Sequence, residues 1–245
     1  MEKKSNSINT MLDLKKCKIE NNGIWIPLSE LQRIEEEAKI TMKQISVGYL
    51  CECLIEAIEN DIVSICRQRV TDHINRVKHF YKLMWYNGII SEANYVPAIV
   101  EHHDDDKLEP ENLRRQALRF KRDGGFTDEE LKEIDDVVME HIKSNPHHCE
   151  YWGEGDHLAK GIVCYDMPDI FIYEMMADWA ATCEEKGGVL KDWYDKNVGT
   201  RWIFSEHQKE IMLKYINFLS DNIDSSLKRD YGLNYMDPAD VKRNN

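Results

Sequence analysis

Between Glu101 and Lys107 the chain reads Glu-His-His-Asp-Asp-Asp-Lys: two imidazoles, three consecutive carboxylates and one ammonium in seven residues. Adjacent carboxylates repel one another and lose solvation on burial, so a fold that turns this run inward has to bring compensating charge to it. A cation removes the conflict. The pair His103-Asp104 offers it one nitrogen and one oxygen ligand from a single helix end, a donor set suited to Zn, Mn, Fe or Mg rather than to a thiolate site. The competing reading is an acidic turn that stays in water between two helices. What decides between them is what the rest of the chain can deliver to the same place.

Composition narrows the partners. A net charge of −13, from 32 basic and 45 acidic residues, argues against a duplex nucleic-acid surface, because such surfaces neutralise phosphates with clustered Lys and Arg. Seven cysteines without a Cys-x-x-Cys pair indicate neither a disulfide framework nor a thiolate zinc site and fit a reducing, cytoplasmic setting. Met1 to Thr10 lacks the apolar core of a signal peptide, and no apolar run reaches membrane-spanning length, so neither secretion nor a membrane partner is expected.

The periodicities predict an all-α chain with one small β element. Apolar residues alternate around Asn22-Gly23, from Lys18 to Pro27, as in a β-hairpin. Ser29 opens a helix, and Val47 to Cys66 reads as another. These segments contain no histidine, so residues 1–66 are expected to form an appendage that packs on, or dimerises, the rest, which makes a homo-oligomer one expectation. Residues 67–225 carry the remaining helices and 226–245 a polar tail. Val70 to Tyr86 is strongly amphipathic and turns His73 inward. Tyr95 to about His102 delivers the acidic run, Pro110 opens a helix that the turn Asp123-Gly124-Gly125 breaks, and Thr127 with Glu130 forms a capping box for a helix through His141 to Asn145. Gly153 to Gly161 reads as a loop. Asp169 to Glu185 is a helix with Glu174 and Asp178 one turn apart on its inward face.

Polar residues facing inward therefore recur on successive helices: His73, His103-Asp104, His141 with His147-His148, and Glu174 with Asp178. A lone histidine on an apolar face is commonly a hydrogen-bonded core residue; the conjunction is harder to explain that way. The order His, then His-Asp, then Asp, with Lys107 three residues beyond Asp104, resembles the HD superfamily of metal-dependent phosphohydrolases. Within it, the runs His73-Ile74-Asn75-Arg76-Val77, His103 to Lys107, His141 to His148 and Glu174 to Trp179 are similar to an uncharacterised HD-like family common in phage and bacterial genomes.

The resemblance covers about residues 70–200 and implies an HD-like helical bundle. His73, His103, Asp104 and Asp178 would hold a divalent ion (Mn, Mg, Co, Zn or Fe), and Asp104 and Lys107 would be the catalytic pair, with Lys107 reaching a phosphoryl oxygen. His141, His147 and His148 would supply a second metal position or phosphate contacts, and Glu174 would stand behind the ligands or pair with Arg76. Phosphoester cleavage needs a nucleophilic water and compensation of growing phosphoryl charge, which a metal and Lys107 together answer. The implied substrate is a small phosphorylated metabolite, a nucleotide first of all, with Tyr151 and Trp152 as candidates to wall the pocket. One departure stands out: Asp106 occupies the place where a small hydroxyl residue is expected before the lysine. That extra carboxylate either joins a metal's outer shell or repels a phosphate and signals lost catalysis, and in the second case it favours the alternative of a catalytically silent nucleotide- or metal-binding regulatory module. A structural, oligomer-forming protein of a phage or mobile element is a third reading.

Overall fold

A computed structural model describes residues 18–20, 23–26, 29–34, 47–120 and 126–227. The fold is mostly helical, and the chain divides into two compact units, Met1–Asn60 and Asp61–Asn245. In the first, β1 (Lys18–Glu20) and β2 (Gly23–Trp25) pair antiparallel, with Ile19 opposite Ile24, as the Asn-Gly signal predicts. Residues 29–34 are helical. The hairpin's turn, the expected turn at 123–125 and the tail from 228 lie outside the described residues.

The helix α1 (Val47–Tyr86) runs unbroken for 40 residues, where the sequence reading has two helices separated near Arg67 to Arg69. Arg67, Gln68 and Arg69 are good helix formers, so only the polarity is interrupted and the backbone has no reason to stop. Cys66, Val70 and Ile74, spaced four apart, pack with Leu113, Ala117 and Phe120. Val77, Phe80, Tyr81 and Met84 continue the helix into the main core.

Five shorter helices follow before the chain turns back. They are α2 (Pro97–Glu101), α3 (Pro110–Ala117), α4 (Asp128–Ser144), α5 (Cys149–Trp152) and, after a loop, α6 (Asp169–Lys186). The capping box on α4 forms as expected: Glu130 N–H donates to Thr127 Oγ1 at 3.2 Å and Thr127 N–H to Glu130 Oε2 at 2.8 Å. Then come α7 (Leu190–Asn197) and α8 (Glu206–Ser220).

One element has no sequence signal: the parallel pair β3 (Ile162–Val163) and β4 (Trp202–Ile203). Two-residue strands are too short to show a period of two. Their fit depends on Gly153, where a Cβ would lie 2.5 Å from Ile162 Cγ2 and 2.7 Å from Val163 O. Glycine lets the end of α5 rest directly on β3.

α6 lies at the centre of this unit. Ile172, Met175, Met176, Ala177, Ala180 and Ala181 are all essentially inaccessible, so the helix is buried nearly all round rather than along one stripe. Gly187, at φ 70°, ends it in the left-handed conformation. A carboxylate on such a helix must find partners inside the protein, and Glu174, Asp178 and Glu185 share one face at i, i+4 and i+11. Among the described residues no helix is long and apolar enough to cross a membrane.

Candidate metal centre

The Glu101–Lys107 run is parted by a single backbone feature. α2 stops at Glu101, and Asp104 takes φ 58°, ψ 18°, the only positive φ outside glycine among the described residues. In a helix successive side chains point about 100° apart. The left-handed residue changes the chain's direction, and His103 and Asp104, neighbours in sequence, are both buried, at 1% and 0% exposure. His102 and Asp105 instead face water and pair with each other at 2.9 Å. The three aspartates thus part company: Asp104 accepts from Lys107 Nζ at 2.6 Å, Asp105 pairs with His102, and Asp106 lies 2.7 Å from His141 Nδ1. Their mutual repulsion, expected from the sequence, is relieved by these separate partners. One oxygen each of Asp104 and Asp106, Oδ1 in both, is nevertheless buried without a hydrogen-bond partner.

Asp104 stands between two groups of imidazoles. On one side are His73, His103 and Asp178. His73 Nε2 lies 2.9 Å from Asp178 Oδ1, and Asp104 Oδ2 lies 3.7 Å from His73 Nε2 and 3.6 Å from His103 Nε2. On the other side are His141, His147 and His148. Asp104 Oδ1 is 3.2 Å from His141 Nε2 and 3.5 Å from His147 Nε2, while the Nε2 atoms of His141 and His148 are 2.9 Å apart. Within each group the ligating atoms lie within 4.8 Å of one another.

Behind the imidazoles stands a ring of carboxylates. Glu174 Oε1 is 2.8 Å from His103 Nδ1 and 3.4 Å from His147 Nδ1, Asp106 holds His141 Nδ1, and Glu185 Oε2 faces His73 Nδ1 at 3.7 Å. In each case the carboxylate is on Nδ1. A histidine that donates through Nδ1 presents the lone pair of Nε2 to the centre, the usual support for a metal-ligating imidazole; Glu174 with His103 and Asp106 with His141 are within hydrogen-bond distance for this, whereas Glu185 faces His73 from beyond it. Glu174 does not pair with Arg76, which pairs with Glu184 at 3.3 Å. Asp106, the apparent misfit before Lys107, orients His141.

The fit to a cation can be tested on the buried polar atoms. His103 Nε2, His147 Nε2 and Asp104 Oδ1 are buried without a hydrogen-bond partner, and such orphans are rare because each costs about 1–3 kcal/mol. All three face the same centre. Burial drives His103 and His148 below the usual imidazole range and His147 to about 4, so these rings are neutral with lone pairs available. Burial also acts to lower His73, but Asp178, Glu185 and Asp104 overcome it and hold it at about 9, so without a cation this ring is an imidazolium that must release its Nε2 proton to ligate one. Desolvation acts to raise Asp104 and Asp178, yet the histidines, with Lys107 beside Asp104, keep both carboxyls ionised, well below the ordinary range. Glu185, desolvated but paired with His73 and with Arg69 at 2.6 Å, sits at about 2. The thiols nearby are protonated: burial raises Cys183 to about 11 and Cys149 well above its ordinary value. Nitrogen and carboxylate donors without thiolate suit a hard or borderline divalent cation.

A cavity of about 490 Å³ opens onto this centre, within the range for small-molecule pockets. His73, Asp104, Lys107, His141, His147 and Asp178 line its inner end. Its aromatic wall is Trp179, Trp193 and Trp202, not the expected Tyr151 and Trp152: Trp152 donates to Pro146 O at 2.7 Å, and Tyr151 is exposed. Arg69, Arg119, Lys186, Lys196 and Arg201 also border the cavity, a cationic concentration in a chain of net charge −13.

All seven histidine and aspartate positions expected from the sequence meet here, with Lys107 and Glu174. The sequence reading missed Glu185, whose signal is its place seven residues after Asp178 on the same helix face, and it left Asp106 open between an outer-shell partner and a silencing charge; its contact with His141 favours the first. Because the orphaned atoms are imidazole and carboxylate lone pairs, chelation with EDTA is expected to lower the melting temperature of the purified protein, and excess Mn or Zn to raise it by mass action. A melting curve indifferent to both would mean that the cluster binds no cation.

Comparison with known proteins adds membership without activity. No curated protein and no solved structure matches the chain. A model of a family of unknown function, DUF5662, matches residues 63–229, the span that contains every residue of the centre, and the chain belongs to that family.

Proposed function

We propose that the protein is a metal-dependent phosphohydrolase of HD-like type acting on a small phosphorylated metabolite, most readily a nucleotide. The observation that carries this reading is Asp104: one buried carboxylate faces two groups of imidazoles, each with one inward nitrogen that lacks a partner (His103 Nε2 and His147 Nε2), with Lys107 on the same carboxylate and a cavity of ligand size bordering it. A divalent cation held there would lower the pKa of a water and offset charge on the phosphoryl oxygens.

The chain's own residues divide the remaining work. His73, His103 and Asp178 form one donor set and His141, His147 and His148 the other, with Asp104 common to both. Glu174 and Asp106 fix His103 and His141, so little reorganisation of these rings is needed when substrate enters. Lys107, half sheltered at 21% side-chain exposure, is placed to leave Asp104 for a phosphoryl oxygen as charge grows there. Met175 and Trp179 on α6, beside the donors, keep that part of the cavity apolar.

The test is metal analysis of the purified protein followed by a screen of phosphorylated metabolites with Mn, Mg, Co, Zn and Fe. Metal-dependent phosphate release from at least one substrate class is expected. Bound metal without turnover across the whole panel would favour the regulatory-module reading.

Asp106 discriminates further. If it had silenced the site, Asp106→Ser would raise activity. As the partner of His141 Nδ1 it should do the opposite, and Asp106→Ser is expected to weaken metal affinity at the His141 group by about 10–100-fold, the usual cost of losing an orienting carboxylate. Titration of the variant with Mn, followed by calorimetry, reads this directly.

A further inference from the structure

The wall of the cavity contributed by β4 carries a second recognition element. Glu150, on α5 and 2% exposed, accepts from Arg201 Nη2 and from Trp202 Nε1, each at 3.0 Å. The Arg201 guanidinium lies over the Trp202 ring, 4.6 Å from its centroid. Two further contacts fix this arrangement from behind. Lys143 Nζ caps the end of α5 through the carbonyls of Glu150 and Gly153 at 2.7 and 3.0 Å, and Ile162 N–H donates to Arg201 O at 2.9 Å. The guanidinium is therefore held on one edge and one face. Only Nη2 is engaged among the described residues, Nε is buried without a hydrogen-bond partner, and the side chain borders the cavity.

Anchoring of this kind costs a buried carboxylate and an immobilised long side chain, and neither is needed to close a wall that Trp202 already forms. A guanidinium is a planar fork matched to phosphate and carboxylate oxygens, and fixing it beforehand lowers the entropy lost on binding. Arg201 does not belong to either donor group around Asp104, yet it borders the same cavity.

We infer that Arg201, preorganised by Glu150 and Trp202, binds a second anionic group of the substrate, a phosphate or a carboxylate, at a distance from the phosphoryl group held over Asp104. The inference rests on the phosphohydrolase reading for the first anion. It makes the substrate class a compound with two separated anionic groups, such as a phosphorylated acid or a compound carrying two phosphates, rather than a simple monoester.

Non-hydrolysable probes of graded length test this by calorimetry on the full chain loaded with Mn. The ω-phosphonocarboxylates from phosphonoacetate to phosphonohexanoate, and the α,ω-alkylenediphosphonates, carry two anions; n-alkylphosphonates of matching length carry one. At least one two-anion probe is expected to bind about tenfold or more tightly than its one-anion counterpart, the yield of one charge-assisted hydrogen-bonded contact. Which series shows the preference tells carboxylate from phosphate. Arg201→Ala should abolish the preference, and Arg201→Lys, which keeps a positive charge opposite Glu150 should the alanine variant fail to fold, should reduce it. No preference at any length, or a preference that survives in Arg201→Lys and Arg201→Ala alike, overturns the inference even if alkylphosphonates bind in a metal-dependent way. An Arg201-dependent preference that persists after EDTA treatment would instead support the subsite and count against the phosphohydrolase reading.

Discussion

Asp104→Asn is expected to abolish binding at both donor groups at once. The oxygens of Asp104 face in two directions, Oδ2 toward His73 and His103 and Oδ1 toward His141 and His147. Loss of its charge therefore removes the one carboxylate that faces the Nε2 atoms of both groups. Asparagine is the informative replacement because it keeps the size of the side chain and tolerates the left-handed backbone. Metal analysis after purification, with titration by Mn, should show an affinity loss larger than the roughly 10–100-fold that follows removal of an orienting partner. Asp178→Ala should instead reduce binding at the His73 group and leave the His141 group, and His148→Ala the reverse. An Asp104→Asn protein that bound as much metal as the wild type would show that the carboxylate is only the counter-ion of Lys107.

The second large effect concerns Lys107. Its Nζ lies 2.6 Å from Asp104 Oδ2, with the carboxylate 1% and the ammonium 21% exposed. Were this an ordinary surface pair, its loss would matter by about 0–1 kcal/mol and would spare turnover. Its position argues otherwise, because the ammonium borders the cavity beside the donors. If it meets the phosphoryl oxygens chiefly as their charge grows, Lys107→Ala should lower kcat by about 10², or about 2.7 kcal/mol, while metal content is retained. Steady-state kinetics on the best substrate, paired with metal analysis of the same preparation, separates this result from the Asp104 case, where metal and activity fall together. Full activity in Lys107→Ala would sink the role.

What could be read from the sequence follows the range of the forces involved. The helices were legible because apolar spacing is a local property, and the capping box at Thr127 and Glu130 formed as its residues dictate. The convergence of His73 with Asp178, 105 residues apart in the chain and 2.9 Å apart in space, was legible only through the order of motifs, since no local pattern encodes it. Two kinds of feature escaped. The continuity of α1 was hidden because a change in polarity imitates a helix end. Of the carboxylates behind the imidazoles, Glu185 escaped because it looks like an ordinary surface acid until the partner helix is in place, and Asp106 was left between two readings because its partner His141 lies on another helix. Asp106 in particular looked like a departure from a pattern, whereas its contact with His141 is one of the shortest in the centre.

The backbone of Asp104 has an evolutionary corollary. At φ 58° an aspartate bears a conformational cost of about 1 kcal/mol or more that glycine at the same place would not. Backbone ease alone would thus favour glycine there, and what glycine would lose is the carboxylate that Lys107 and the imidazoles face. In other members of the family this single position becomes a marker: a chain with glycine in its place would keep the turn and lack the carboxylate that stands between the two groups of imidazoles.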